Sequence, residues 1–359
     1  MTEKLSVLLG PALLICLLFT VGLSFFNYVI PPGLWAADIA LALGVFVFYT
    51  VTQNNVVYVA KRFTEAVMVI LVIATVTFLL LRILPGGPFD QEKALPPEVK
   101  DNIEAKYHLD KPLYHQYGNY IFGLLKGDMG ESYKYIGRNI SEIVSETLPT
   151  SIQLGVFSLI LAFLIGIPAG VISASKHNTM LDSVTMGLAI SGVALPSFLV
   201  APILILIFSF GLGWFEPALW EGPTYYVLPV IVLGTRPAAV IARLTRASVL
   251  EVIRSDYIRT ARAKGLSERV ILFKHVLKNS LIPVLTFSGP LAAGVITGSF
   301  IIEQIFAVPG MGKHLVNSVT NRDYPLILGT TLIFSMALVL ANLVVDLLYS
   351  YFDPRIKLS

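Results

Sequence analysis

The chain has 359 residues, 55% of them apolar and 14% charged, with a mean hydropathy of +0.75. Soluble domains run nearer about 45–50% apolar and about 25% charged, so the composition excludes an ordinary soluble protein and points to a chain solvated mostly by lipid. The net charge of +3 gives no electrostatic footprint for nucleic acid, and a lone cysteine, Cys16, excludes an internal disulfide and any cysteine-cluster metal site.

A membrane-spanning helix needs about 20 apolar residues. Eight stretches qualify in chain order: roughly 5–30, 34–51, 66–84, 150–172, 184–212, 227–244, 281–306 and 326–350. The first runs into Pro31-Pro32-Gly33 without a small-residue cleavage site, which predicts a retained helix rather than a removed leader. With 34–51 it forms a hairpin within 1–57, and so little of it is polar that peripheral packing is expected. The charges between spans are asymmetric. With a cytoplasmic N-terminus the inner segments carry 15 Lys/Arg and 7 Asp/Glu, whereas the outer ones carry 9 and 15. The basic excess then lies in the cytoplasm, and both termini lie there too.

Residues 85–148 are the longest non-membrane piece, expected on the outer face. Pro97 and Pro112 suit helix starts and Gly127 a helix end, and Leu113, Tyr117, Tyr120, Ile121 and Leu124 share one helical face. This predicts a small helical cap on the outer ends of the spans, which can also serve as a docking surface for a soluble partner.

The segment 243–278 carries nine basic and three acidic residues between two spans on the cytoplasmic side. Ser255 can cap a short helix with Asp256 in its first turn and Lys264 in its last, and Gly265 is placed to end it. Tyr257, Ile258, Ala261 and Gly265 share one face, and Arg259 and Arg262 lie away from it. Such a helix reads either as a basic loop that sets topology and touches anionic lipid, or as a docking element whose small residues let another protein approach.

Chemistry of the chain's own is harder to find. Gly312-Lys313 is followed by His314 and lacks the upstream glycine of a phosphate loop. The five histidines (His108, His115, His177, His275, His314) are scattered without zinc spacing. Of the charges within spans, Arg236 and Asp346 lie about 10 Å from the inner edge at 1.5 Å per residue, a depth at which they can pair or line a pathway, and Glu303 sits near an outer end. The pattern is a pathway without an engine, and neither a metal nor a nucleotide cofactor is expected on this chain.

The string YIRTARAKGL (Tyr257–Leu266) followed by KHVLKNSLIPVLT (Lys274–Thr286) resembles the cytoplasmic loop of binding-protein-dependent ABC importer permeases of the dipeptide/oligopeptide branch. LPGGPF (Leu84–Phe89), LPPEVKDNIEAKYHLDKP (Leu95–Pro112), GVALPSFLVAP (Gly192–Pro202), ITGSFIIEQIFAVPGMG (Ile296–Gly312), NRDYPL (Asn321–Leu326) and DPRIK (Asp353–Lys357) agree in order, covering about 58–359. Arg259-Thr260-Ala261 stands where the general pattern has Glu-Ala-Ala, a departure common in this branch.

The resemblance, which is to the B-type oligopeptide permeases, implies an all-α integral membrane protein. A six-helix type I importer core would comprise the first core helix (58–84), the outer segment (85–148), the transmembrane domain 149–350 with a coupling loop at 243–280, and a tail at 351–359. With the hairpin this makes eight spans in a bacterial cytoplasmic membrane. It further implies a second homologous permease, two ABC ATPase subunits that hold ATP and magnesium, and an extracytoplasmic peptide-binding protein. Arg259, Thr260, Ala261, Arg262, Ala263, Lys264 and Gly265, beside Tyr257, would then contact the ATPase. The same architecture serves dipeptides, nickel complexes or glutathione. An ion-coupled carrier or a membrane enzyme is the alternative of another class.

Overall fold

A computed structural model describes residues 56–84, 87–89, 97–297 and 300–352. The N-terminal hairpin predicted within 1–57 therefore lies outside the described residues, apart from its last two positions. Among the described residues regular structure is all helical, with one isolated bridge between Glu131 and Asn139.

The chain enters on α1 (Val56–Ile83), crosses to two short helices, α2 (Pro97–Lys106) and α3 (Leu113–Leu125), and returns on α4 (Ile140–Ser175). The punctuation follows backbone chemistry. Pro97 opens α2, Pro112 sits at the N-cap of α3, and Gly127 takes φ +78 just beyond its end. The predicted face of α3 is used in part. Tyr117 donates or accepts a 2.7 Å hydrogen bond with the Thr75 hydroxyl, and Tyr117 and Tyr120 both pack on Phe78 of α1, whereas Leu113 is exposed. Asn139 caps α4 by accepting from the Ser141 N–H at 2.8 Å.

The predicted span at 184–212 is not one helix. α5 (Met180–Ala194) and α6 (Ser197–Gly211) meet at 106°, with Leu195 and Pro196 at the break. Proline lacks the N–H that would continue the ladder and forces its predecessor out of helical geometry, so a continuous apolar run folds into two pieces. The last part of α6, Ile205–Gly211, is π-helical. α7 (Pro223–Ile253) is continuous despite Pro229 and Pro237.

After α7 come α8 (Asp256–Ala263), α9 (Glu268–Ser280, π-helical over Ile271–Val276) and α10 (Ile282–Thr297), the last two bent by 48°. α11 (Phe300–Ile305), α12 (Met311–Thr320) and α13 (Tyr324–Phe352) complete the order. Among the described residues four helices, α1, α4, α7 and α13, are long and apolar enough to cross a membrane singly, and the two bent pairs would raise this to six.

α4 and α7 form the central pair. α4 carries a buried row of small residues at three- and four-residue spacing, Ser151, Gly155, Ser158, Ala162, Gly166, Gly170 and Ser173, and the middle of it, Ser158, Ala162, Gly166 and Gly170, meets α7. A Cβ on Gly166 would lie 2.7 Å from the Ala238 carbonyl oxygen, and one on Gly170 would lie 2.5 Å from that of Ala242. Backbones this close gain dispersion over a long seam, which is how helices associate where lipid supplies no hydrophobic drive. By contrast α1, α5 and α6 expose broad apolar faces, with Phe63, Leu188 and Phe210 about 70% open, as suits surfaces meeting lipid tails or another helix.

Candidate coupling helix and intramembrane charges

α8 stands at the end of the bundle where α4 finishes and α7 runs out. Its C-terminus closes as the sequence predicts. Gly265 takes φ +77, its N–H donates to Arg262 O at 2.9 Å, and the Leu266 N–H donates to Ala261 O at 3.4 Å. That pair of bonds is the Schellman pattern, which a residue with a Cβ adopts only with strain. At the N-terminus Ser255 has the extended backbone of a cap, but its hydroxyl donates back to Val252 O at 2.6 Å and caps nothing.

The face prediction needs correcting. Ile258 and Ala261 are not offered to a partner: both are buried, in one cluster with Ala174 of α4, Val249 of α7, and Ile271 and Val276 of α9. The physical reason is that an apolar stripe on a short helix is buried first against its own chain. Tyr257, half exposed, ties α8 to α9, because its hydroxyl accepts from Asn279 Nδ2 at 2.8 Å and donates to His275 O at 3.4 Å. What remains outward is Arg259, Thr260, Arg262, Ala263, Lys264 and Gly265. Arg262 is steadied by two bonds to Glu268, at 2.7 and 3.3 Å, and Arg259 approaches Asp256 at 3.4 Å. The result is a basic ridge on a helix held from behind by three others.

A buried ionic latch, which sequence reasoning missed, sits next to this ridge. Asp182, at the start of α5, receives Arg246 Nε at 2.7 Å and Nη2 at 2.8 Å in a two-pronged pair. The Ser173 hydroxyl and the Asn178 N–H also donate to this carboxylate, and His177 Nδ1 stands 3.3 Å from it. The latch binds the end of α4, the start of α5 and α7 together immediately before α8.

The predicted intramembrane charges separate into different situations. Glu303 is fully buried. Its Oε2 accepts from the Gly312 N–H at 2.7 Å while the Ser151 hydroxyl accepts from Met311 N at 2.8 Å, so α4 and α11 together cap α12 from a distance. Gly310 leaves the room, since a Cβ there would strike the Glu303 carboxylate and come 2.6 Å from Ser151 Oγ. Glu303 is thus an internal cap rather than a pathway-lining charge in this arrangement. Arg236 is exposed on α7, without a hydrogen bond or ion pair among the described residues. Asp346 falls on α13, but its side chain lies outside the described residues. α13 packs on α1, α4, α10 and α12, and α7 on α4, α5, α6, α9, α10 and α11.

At the opposite end Asp323, also missed, is fully buried at the start of α13. It accepts from Leu326 N at 3.3 Å as an N-cap, and also from Tyr133 N at 3.1 Å and the Ser132 hydroxyl, fastening the loop before α4 to α13.

Comparisons with known proteins bear on this arrangement. Residues 166–358 match the family described as binding-protein-dependent transport system inner membrane component, and residues 55–154 match the N-terminal part of such membrane components. The chain is 45% identical over 301 residues to the dipeptide transport system permease protein DppB of Bacillus subtilis, covering 84% of this chain and 98% of that one. It is 44% identical over 302 residues to the oligopeptide transport system permease proteins OppB of Haemophilus influenzae and of Escherichia coli, covering 84% of this chain and 99% of each. Among solved structures, an inward-facing MetNI methionine ABC transporter shares the fold at a TM-score of 0.52 and 15% identity, over 59% of this chain and 97% of that one. With its paired α4 and α7, its loop helix and these relatives, the chain belongs to the binding-protein-dependent transport system inner membrane components, the permeases of ABC importers.

Proposed function

We propose that this chain is the permease subunit of an ATP-driven importer of oligopeptides. In this reading an extracytoplasmic binding protein hands over the cargo, a second related permease completes the pathway, and two ABC ATPases supply the energy. The observation that carries it is the construction of α8: an outward ridge of Arg259, Thr260, Arg262, Ala263, Lys264 and Gly265 whose reverse side is embedded in α4, α7 and α9. A docked ATPase that moves this ridge moves the bundle, which is what alternating access requires of a coupling element. The end bearing α8 is then cytoplasmic and the end bearing α2 and α3 is extracytoplasmic, in agreement with the charge asymmetry. The chain itself binds neither nucleotide nor metal in this scheme.

Peptide cargo is supported by relatives named for dipeptide and oligopeptide transport at nearly equal identity. The exposed Arg236 of α7 is assigned to the face shared with the second permease, where a cation can meet peptide carboxylates. Residues 1–57 are assigned to a peripheral hairpin, in keeping with family matches that begin at residue 55.

The test is uptake by proteoliposomes holding both permeases and the ATPases, with the binding protein and peptide supplied on the outer side. ATP-dependent accumulation of pentapeptides that dipeptides compete with poorly is expected. Arg259→Glu combined with Arg262→Glu should abolish co-purification of an ATPase while the permease remains in the membrane. Uptake driven by an ion gradient with this chain alone would overturn the reading.

A further inference from the structure

The helix α3 divides into three sectors around its axis. Tyr117 and Tyr120 point one way, His115, Gln116 and Asn119 another, and Tyr114, Gly118, Ile121, Phe122 and Leu125 fill a third arc about 100° wide. The first sector packs on Phe78 and Thr75 of α1. The second is satisfied locally: Gln116 Nε2 donates to the carbonyls of Leu109 and Lys111 at 3.2 and 2.7 Å, and Asn119 Nδ2 stands 3.3 Å from His115 Nδ1. The third is apolar and open among the described residues. Tyr114 is 79% exposed, Phe122 60% and Leu125 80%, and a Cβ on Gly118 would meet nothing within 4 Å.

The depth of α3 decides what meets this open face. Arg62 and Arg82 stand about 30 Å apart along α1 at 1.5 Å per residue, the thickness of a bilayer's hydrocarbon core. Phe78 then lies about 6 Å, and Thr75 about 10 Å, inside the boundary that Arg82 marks. Tyr117 is hydrogen-bonded to Thr75 at 2.7 Å, and the rings of Tyr117 and Tyr120 centre 5.4 and 5.8 Å from that of Phe78. A helix fastened at those two residues is sunk below the ends of the spans, to the headgroup–acyl boundary where amphipathic helices lie about 5–10 Å deep. Beside Thr75 on α1, Val72, Val76 and Leu79 are about half exposed, so the open face of α3 continues an apolar surface of a spanning helix. Lysines flank both ends. Lys126 carries its ammonium 4.3 Å from the centre of the Phe122 ring, the pose of a cation that rests on apolar surface while reaching for headgroups, and Lys111 precedes the first turn.

We propose that α3 is an interfacial helix that lies flat in the leaflet at this end of the bundle. Tyr114, Gly118, Ile121, Phe122 and Leu125 are set among the acyl chains, and His115 and Asn119 face water. The occupant of the open face is bilayer lipid. The segment between α1 and α4 is thereby anchored in the membrane on one side, and that side is closed to a soluble partner.

The experiment uses the full chain with Cys16→Ala in nanodiscs, bearing a nitroxide on one introduced cysteine at a time. Gly118→Cys, Phe122→Cys and Leu125→Cys probe the open face, His115→Cys and Asn119→Cys the polar side, and Val76→Cys the apolar surface of α1. Relaxation by oxygen, which concentrates in lipid, is compared with relaxation by a water-soluble nickel chelate. The oxygen-to-nickel ratio at the three face positions should approach that at Val76→Cys and exceed that at the two polar positions several-fold, and it should persist when the second permease is added. A ratio on the open face as low as on the polar side places that face in water and overturns the proposal. Equal lipid-like ratios at all five positions of α3 overturn the flat orientation. Shielding of the face from both reagents, in the chain alone or on addition of the second permease, shows that protein covers it and overturns lipid as the occupant. Neither cargo nor ATPase enters the measurement.

Discussion

Replacing Gly170 by alanine tests whether the α4–α7 seam sets the geometry of the coupling end. The added Cβ would lie 2.5 Å from Ala242 O, 2.6 Å from Thr245 Cβ and 3.0 Å from Arg246 N. Non-bonded carbon contacts settle near about 3.5–4.0 Å, so α7 must retreat by about 1 Å. No flexible side-chain tip is available to yield, because the atoms met are backbone or Cβ. Overpacking of this kind costs about 1–3 kcal/mol. The retreat also pulls on Arg246 and on Val249, and so on the latch and the cluster that holds α8. Thermal unfolding in detergent should show a lower melting temperature, and the assembled importer should hydrolyse more ATP per peptide moved. Gly187 on α5 supplies the control: a Cβ there meets nothing within 4 Å, and alanine gains up to about 1 kcal/mol of helix propensity. If Gly170→Ala melted and transported like the wild type, the close seam would not be a constraint and the argument would fail.

Three further outcomes are expected. Asp182→Asn should destabilise the chain, because Arg246 is left without its carboxylate, and a cycle with Arg246→Gln should show that the two losses are not additive. Ala261→Leu should lower stability without requiring any partner, whereas Lys264→Ala should leave stability within about 0.5 kcal/mol yet weaken association with the ATPase in pull-down. His314 gives a pH test: burial, reinforced by Lys313 and Arg138, holds its imidazole below the ordinary 6.5, and its Nδ1 has no hydrogen-bond partner among the described residues. The unfolded chain then binds the proton more readily than the folded one, so stability is flat above about pH 6.5 and falls as the pH drops below it. His314→Gln should flatten that slope in denaturation curves measured across this range.

The sequence makes helix punctuation legible because it is local chemistry. Gly265 ends α8 through a φ that only glycine takes easily, and Pro97, Pro112 and Gly127 bound α2 and α3 where expected. The face of α8 was harder to read, because periodicity tells which residues share a side and not whether that side meets the same chain or another. The break between α5 and α6 is invisible to hydropathy, since Ala194, Leu195, Pro196 and Phe198 sustain a run of low polarity; Pro196 alone carried the sign. The buried charges were least legible. Asp182 finds Arg246 64 residues later, and Asp323 finds Ser132 191 residues earlier, distances over which no spacing rule operates. The small-residue seam of α4 was available at three- and four-residue spacing and needed only a partner helix to be recognised.

These features bear on how a force at α8 would travel. A helix of eight residues has too little surface to fix its own orientation, and a loop around it would absorb an applied displacement. Here Ile258 and Ala261 are clamped by residues from α4, α7 and α9, and Tyr257 is bonded to Asn279. A tilt of α8 must therefore carry the ends of those helices with it. The Asp182–Arg246 latch adds α5 to the moving group, and the glycine seam prevents α4 from sliding independently of α7. The far end of α4 is fixed differently, through Ser151 to α12 and, by way of the loop ahead of it, through Asp323 to α13. A helix of 36 residues is about 54 Å long. Held rigid along one partner and pinned at both ends by buried polar contacts, it turns a small rotation at one surface into a displacement at the other.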